Sequence, residues 1–199
     1  MIIDPSDLDQ QSLYKLLIGS VVPRPIAWTS TVSQEGVRNL APFSFFTVAS
    51  RQPPMLCISL GPQQGNDSST KDTLSNIEKT GEFVINIVSL PLSNMMYESS
   101  KSHPPEADEF EKAGLTPASC EVVGAPRVEE ASVSMECLLD RILALGTDHL
   151  AIGRMVRFHV RDELYEEGRI NIVKLQPLGR LAGSYTKVET IFELPTDDF

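Results

Sequence analysis

The chain has 199 residues, 41% hydrophobic and 22% charged, an ordinary balance for a single globular domain able to bury a core. With 17 basic against 27 acidic residues, its formal charge is −10 and its pI about 4.8, which argues against nucleic acid as a partner, because phosphate neutralisation needs a basic face. Three cysteines without a C-x-x-C pair argue against a disulfide framework or a thiolate metal site, no apolar run approaches the roughly 20 residues of a membrane span, and the start MIIDPSDLDQ lacks a basic-then-apolar leader, so a cytoplasmic protein is expected.

Leu13, Leu16 and Leu17 recur at helical spacing between Asp9 and Ile18, with Gly19 as the expected stop and Pro23 beyond. Ile26 to Val32 and Val37 to Thr47 read as two extended runs joined by the turn Ser33-Gln34-Glu35-Gly36, a hairpin that runs on to the Pro53-Pro54 break. Small hydroxyls and an amide (Thr29, Ser30, Thr31, Asn39, Ser44) lie there among Trp28, Phe43, Phe45 and Phe46. Flat aromatic walls with a few placed donors and acceptors suit a planar ligand. The same composition also suits a plain, half-solvated strand pair.

Met55 to Leu60 is a short apolar strand, and Gly61 to Thr70 a polar, Gly-containing loop. Lys71-Asp72-Thr73 opens a short helix to Lys79, closed by Gly81. Phe83 to Val88 is apolar on both faces, as in a strand buried on both sides. A helical stretch from Leu92 to Ser100 precedes a break at His103-Pro104-Pro105, and Asp108 then caps a turn or two of helix that stops at Gly114. Val133 to Leu143 and Leu150 to Val160 are extended. In the second run alternation puts Leu150, Ile152, Val156, Phe158 and Val160 on one apolar face, with Arg154 among them, and His149, Ala151, Gly153, Arg157 and His159 on the other. Arg169 to Lys174 is expected as a last short strand, and Gly179 to Tyr185 as a Gly-rich loop. About seven strands with three or four short helices and no βα alternation predict a mainly β, antiparallel barrel in one domain spanning residues 1–199.

Ser68 to Thr73, SSTKDT, combines hydroxyls, one lysine and a helix start, the ingredients of a phosphate site. Ser69-x-x-Asp72 equally fits a capping box, so a well-capped helix is the other reading. His103, His149 and His159 form no zinc-type spacing, and no G-x-S-x-G elbow or Walker loop is present. His103 beside Pro104 reads as a loop residue. Arg24 and Arg180 are candidate anion clamps.

The pieces PRPIAWTST (23–31), NLAPFSFF (39–46), Pro53-Pro54, KDTLSNI (71–77), GEFVIN (81–86), DEFEKAGL (108–115), the 149–156 strand and GRLAGSY (179–185) run in order over nearly the whole chain. Together they resemble the flavin reductase-like family with an FMN-binding split barrel, which includes the reductase components of two-component flavin monooxygenases. The resemblance implies a homodimer holding FMN near its interface. It implies Thr29, Thr31, Asn39, Ala41, Pro42 and Ser44 along the isoalloxazine and ribityl, Lys71, Asp72 and Thr73 at the phosphate, and Arg24, His149, Arg180 and Tyr185 at the pocket mouth. The implied reaction is hydride transfer from NADH or NADPH to flavin, for a possible monooxygenase partner, with no catalytic acid–base pair demanded. A non-enzymatic FMN protein for storage, buffering or sensing is the alternative, and a relative binding haem or another cofactor a third. No G-x-G-x-x-G fingerprint chooses between the nucleotides.

Overall fold

The computed structural model describes residues 1–62, 72–104 and 106–194. Helix α1 spans Gln10–Ser20, with the Asp9 carboxylate accepting from the Ser12 N–H as its N-cap. Gly19 lies inside this helix rather than stopping it. An exposed glycine in a last turn costs only about 1 kcal/mol relative to alanine, and the helix ends where Val21 leaves helical geometry ahead of Pro23. None of the residues of α1 is buried.

Strands β1 (Ala27–Val32) and β2 (Arg38–Phe43) form the expected hairpin, turning where Gly36 takes φ +85°. The run from Val37 to Thr47 is not one strand. The backbone turns at Ser44-Phe45, β3 runs from Phe46 to Arg51, and β4 from Pro54 to Leu60. The Pro53-Pro54 pair is thus the turn of a second hairpin. Proline is tolerated there because the first position of a strand can spare its N–H.

Helix α2 (Asp72–Thr80) ends at Gly81, which takes φ +73° and donates to the Ile77 carbonyl, and β5 (Glu82–Ile87) follows with its four central residues buried. Helices α3 (Ser93–Glu98) and α4 (Glu109–Ala113) come next. Asp108 caps α4 by accepting from the Phe110 and Glu111 N–H groups, and Gly114 leaves it in the left-handed region. Two-residue strands β6 (Pro117–Ala118) and β7 (Arg127–Val128) pair with each other, before the long hairpin of β8 (Val133–Leu145) and β9 (Asp148–Val160). The expected strand at 169–174 is only β11 (Arg169–Ile170), paired with β10 (Tyr165–Glu166). The Asn171 side chain accepts from the Lys174 N–H and turns the rest into α5 (Ile172–Leu175). The Gly-rich loop is a hairpin of β12 (Leu178–Arg180) and β13 (Tyr185–Lys187).

Seven strands make one antiparallel sheet in the order β2-β1-β5-β8-β9-β4-β3. Its two edge strands, β2 and β3, are neighbours in sequence, and the Ser59 N–H donates to the Phe45 carbonyl at the corner between them. The sheet therefore curls into a barrel split along one seam. Ala27, Phe43, Ile58, Phe83, Ile85, Cys137 and Ala151 fill the inside. Outside, Ile26, Trp28, Leu40 and Val88 pack against Met96 of α3 and Phe110 of α4, with the Trp28 indole N–H held by Ser99 Oγ at 2.9 Å.

On β9 the face of small residues is the one that looks inward. Ala151 and Gly153 point into the barrel, while Arg154 and Phe158 are exposed. Bulky side chains from β4 and β5 already fill the interior, so β9 contributes its small residues there. Arg154 is on the apolar face only because that face looks outward.

Candidate functional site

A cleft of about 560 Å³ opens where β2 leaves the sheet. One wall is Asn39, Ala41, Pro42 and Ser44 of β2 and its corner. Asp72 and Thr73 at the start of α2 close one end, and Arg180, Gly183 and Tyr185 of the β12–β13 hairpin the other. Met96, Tyr97, the stretch from Ser99 to His103, Glu109 of α4 and Tyr14 of α1 complete the lining.

A relay of polar side chains fixes the β2 wall. Asn76 Nδ2 donates to Thr31 Oγ1 at 3.1 Å, and Thr31 and Thr73 hydroxyls both donate to Asn39 Oδ1, at 3.3 and 2.7 Å. The Asn39 amide then points its Nδ2 at Glu109 Oε1, 3.1 Å away. All four of Thr31, Asn39, Thr73 and Asn76 are buried, and the donors and acceptors around Asn39 give its amide one orientation.

Of the residues expected at the ligand, Asn39, Ala41, Pro42, Ser44, Asp72, Thr73, Arg24, Arg180 and Tyr185 line this cleft. Thr29 and Thr31 are fully buried behind the wall. Thr31 reaches the cleft only through Asn39, and Thr29 bonds back to the Ala27 carbonyl. His149 pairs with Leu60 and Ala144 in the β4–β9–β8 ladder and is not among the lining residues. Lys71, with the Ser68–Lys71 part of the phosphate motif, falls outside the described residues.

Arg24 is more a strut than a free clamp. Its guanidinium donates to the carbonyls of Ile18 and Val21 at the end of α1, to that of Leu181, and to Ser44 Oγ. The Arg180 backbone bridges to that of Arg24, while its guanidinium lies over the Tyr185 ring, 4.4 Å from its centroid, and makes no hydrogen bond or ion pair among the described residues. It is therefore the available guanidinium of the cleft.

Three contributors to the cleft escaped the sequence reading. His103, read as a loop residue, lines the cleft with Nε2 buried and without a hydrogen-bond partner among the described residues. The Ser99–Ser102 stretch and Tyr97 bring hydroxyls, Lys101 and an aromatic ring from a segment whose spacing signalled only a helix end. Glu109 follows the Asp108 cap directly and is nine-tenths buried. Burial pushes its carboxyl up to about 7 against the N–H donors of Leu40 and Asn39. Burial, and then the charge of Glu106, also raises Asp72. The signal for Glu109 was a carboxylate adjacent to an apolar core residue, Phe110, in a helix too short to turn it to solvent.

Cys120, Glu136 and His159 bring three potential metal-ligand atoms within 4.8 Å of one another. Their bonding explains the cluster without an ion. Glu136 accepts from the N–H groups of Glu121, Val122 and Val123 at 2.8, 2.7 and 3.0 Å, and its Oε1 lies 2.6 Å from His159 Nε2. Four contacts use the four lone-pair positions of a carboxylate. Burial alone would raise this carboxyl; the N–H groups and His159 outweigh it and hold it at about 2.

The profile of the flavin reductase like domain matches residues 18–189. The chain belongs to the flavin reductase-like family. This flavin reductase-like protein is 44% identical to an uncharacterized protein of Aquifex aeolicus over 180 residues, 90% of this chain and 91% of that one. Among solved structures, nitrilotriacetate monooxygenase component B from Bacillus cereus superposes with TM-score 0.93 at 41% identity, covering 98% of each chain. The 2-nitrobenzoate 2-nitroreductase NbaA of Pseudomonas fluorescens superposes with TM-score 0.89 at 30% identity, covering 100% of this chain and 98% of that one. The fold is the antiparallel split barrel of flavin reductases.

Proposed function

We propose that the protein is an FMN-binding NAD(P)H:flavin oxidoreductase, a cytoplasmic homodimer that supplies reduced flavin to a monooxygenase. One observation carries this reading. The cleft has a fixed polar wall on β2 and, in the same lining, a buried ring nitrogen of His103 with no partner among the described residues. A buried polar atom without a partner is costly, and the polar edge of a ligand is the missing counterpart.

The residues present fit a phosphorylated flavin. The volume lies within the roughly 300–1,000 Å³ of small-molecule sites. Ala41, Pro42 and Tyr97 offer apolar flanks, and Asn39, Ser44 and Thr73 polar contacts. Arg180 supplies positive charge that the chain as a whole lacks, and Lys101, ion-paired with Glu98, lies beside it in the lining. Bound FMN would supply the redox chemistry, taking a hydride from the nicotinamide. The chain's own work is to hold the two rings face to face and to meet developing negative charge with Arg180 and the His103 ring.

The match to component B of a two-component monooxygenase supports the role of flavin supplier. Leu16, Leu17 and Val21, left exposed because α1 buries nothing, support a second copy as their cover.

The test is a visible spectrum of the purified protein, followed by anaerobic addition of NADH and then NADPH. Flavin bands that bleach support the reductase, and the faster donor identifies the nucleotide. A yellow protein inert to both nucleotides would instead be a non-enzymatic flavoprotein. A colourless protein that neither binds nor reduces added FMN sinks the assignment.

A further inference from the structure

We propose that Glu109 is the proton store of the cleft: it takes up a proton from solvent as an anionic ligand enters and returns it on release, so that occupancy is tied to pH through this one carboxyl. The proposal rests on the flavin reading above, with FMN as the ligand.

The fold forces the carboxyl inward. Phe110 and Ala113 are buried against β2 and α3, which presses the first residue of α4 onto Asn39 and Leu40 beside the cleft. Only neutral donors meet it there: its own backbone N–H, the Leu40 N–H at 3.3 Å and Asn39 Nδ2 at 3.1 Å. Glu136 provides the internal comparison. It is equally buried, but three N–H groups and a histidine hold it at 2.6–3.0 Å and keep it ionised. Glu109 has fewer and longer bonds, and burial leaves it poised near 7.

No cation among the described residues pairs with Glu109 itself. On α2, Asp72 faces Glu109 and repels it, with Glu106 beside Asp72. On β2, Arg38 is engaged by Asp108 and Glu111. Beyond α3, Lys101 is paired with Glu98, and His103 is in the cleft lining. Arg24 is spent mainly on carbonyls, and Arg180 lies over Tyr185. Lys112 is on the exposed side of α4.

An entering phosphate and flavin edge add negative charge to a cleft that already contains Asp72. That favours the neutral form of Glu109. Once protonated it also gains an O–H donor in place of a purely accepting carboxylate, which suits an anionic or carbonyl edge. The proton taken from solvent per ligand bound equals the fraction of Glu109 ionised beforehand, rising from near none well below pH 7 towards one H⁺ well above it, with no change of redox state.

The experiment is calorimetric titration of FMN into the full-length protein and into Glu109→Gln at pH 6, 7 and 8. Taking the ratio of the two Kd values cancels the titration of the FMN phosphate itself. The ratio of wild-type to variant Kd should rise about tenfold from pH 6 to pH 8, the change expected when one group of midpoint near 7 must be protonated for binding. A ratio constant within about twofold overturns the proposal while leaving the flavin reading intact. Absence of FMN binding to either protein at every pH overturns both. Should Glu109→Gln not fold, carbon-13 carboxyl spectra of the glutamate-labelled wild type decide instead. One glutamate should titrate near neutrality without FMN and at least one unit higher with it; an unmoved midpoint overturns the proposal.

Discussion

Phe83 and Gly153 face each other inside the barrel with no room for a side chain between them. A Cβ on Gly153 would lie 2.3 Å from Phe83 Cζ and 3.1 Å from the Cys137 Cβ. Phe83 and Cys137 are fully buried, so neither can swing away into solvent. Gly153→Ala is therefore expected to cost about 1–3 kcal/mol, the range for overpacking a close-packed core, read as a lowered urea midpoint. Adding Phe83→Leu should recover part of that loss, because the two changes share one contact. An alanine variant as stable as the wild type would mean that the ring has somewhere to move.

The two buried glutamates should give stability profiles of opposite sign. Glu136 is held at about 2, below its ordinary value, so its contribution is present above about 4.5 and lost as pH falls towards 2. Glu109 is pushed up to about 7, so its contribution is present below about 4.5 and lost as pH rises through 7. Denaturation midpoints should show Glu136→Gln destabilised by about 2–3 kcal/mol at pH 7, with the gap to wild type narrowing in acid. Glu109→Gln should gain on wild type between pH 5 and pH 8.

What the sequence made legible was local. The β1–β2 hairpin, the Gly81 and Gly114 helix stops and the Asp108 cap all follow from turn and capping chemistry within a few residues. Most of the β2 and α2 cleft residues were legible through the family resemblance. What was hidden depends on distant packing. Which β9 face turns inward was not legible, because alternation identifies two faces without saying which one the rest of the chain fills. His103 and Glu109 were missed because a loop histidine and a helix-start glutamate are ordinary until the fold brings them into one cleft with Asn39.

Arg24→Lys should loosen α1. The guanidinium ties the last turn of that helix to Leu181 and Ser44 through a fork of donors that an ammonium cannot reproduce. Amides of residues 13–21 should exchange with deuterium at least tenfold faster in the variant, while those of β5 stay protected.

Thr31→Val tests whether the cleft depends on a residue that never touches it. Valine keeps the shape but leaves Asn76 Nδ2 without its acceptor and removes one of the two hydroxyls that hold Asn39 Oδ1, with Thr73 and Glu109 still in place. Binding of FMN should weaken about three- to tenfold, corresponding to about 1 kcal/mol for one hydrogen bond in the network. Thr29→Val, which removes only a bond to a nearby carbonyl, should change it less than twofold.

The strand order also dictates when the barrel can exist. Hairpins β1–β2 and β3–β4 leave the ribosome early, yet they occupy opposite flanks of the sheet, and the strands that join them, β5, β8 and β9, come later. Until residue 160 has emerged, β1 can pair with β5, but β4 lacks β9 and the two flanks of the sheet cannot be joined. Folding must then proceed by late, long-range closure, the kind that is slow and open to misassociation. A nascent chain halted before β9 should be held by chaperones or digested by protease, and should become resistant only once that last strand is available.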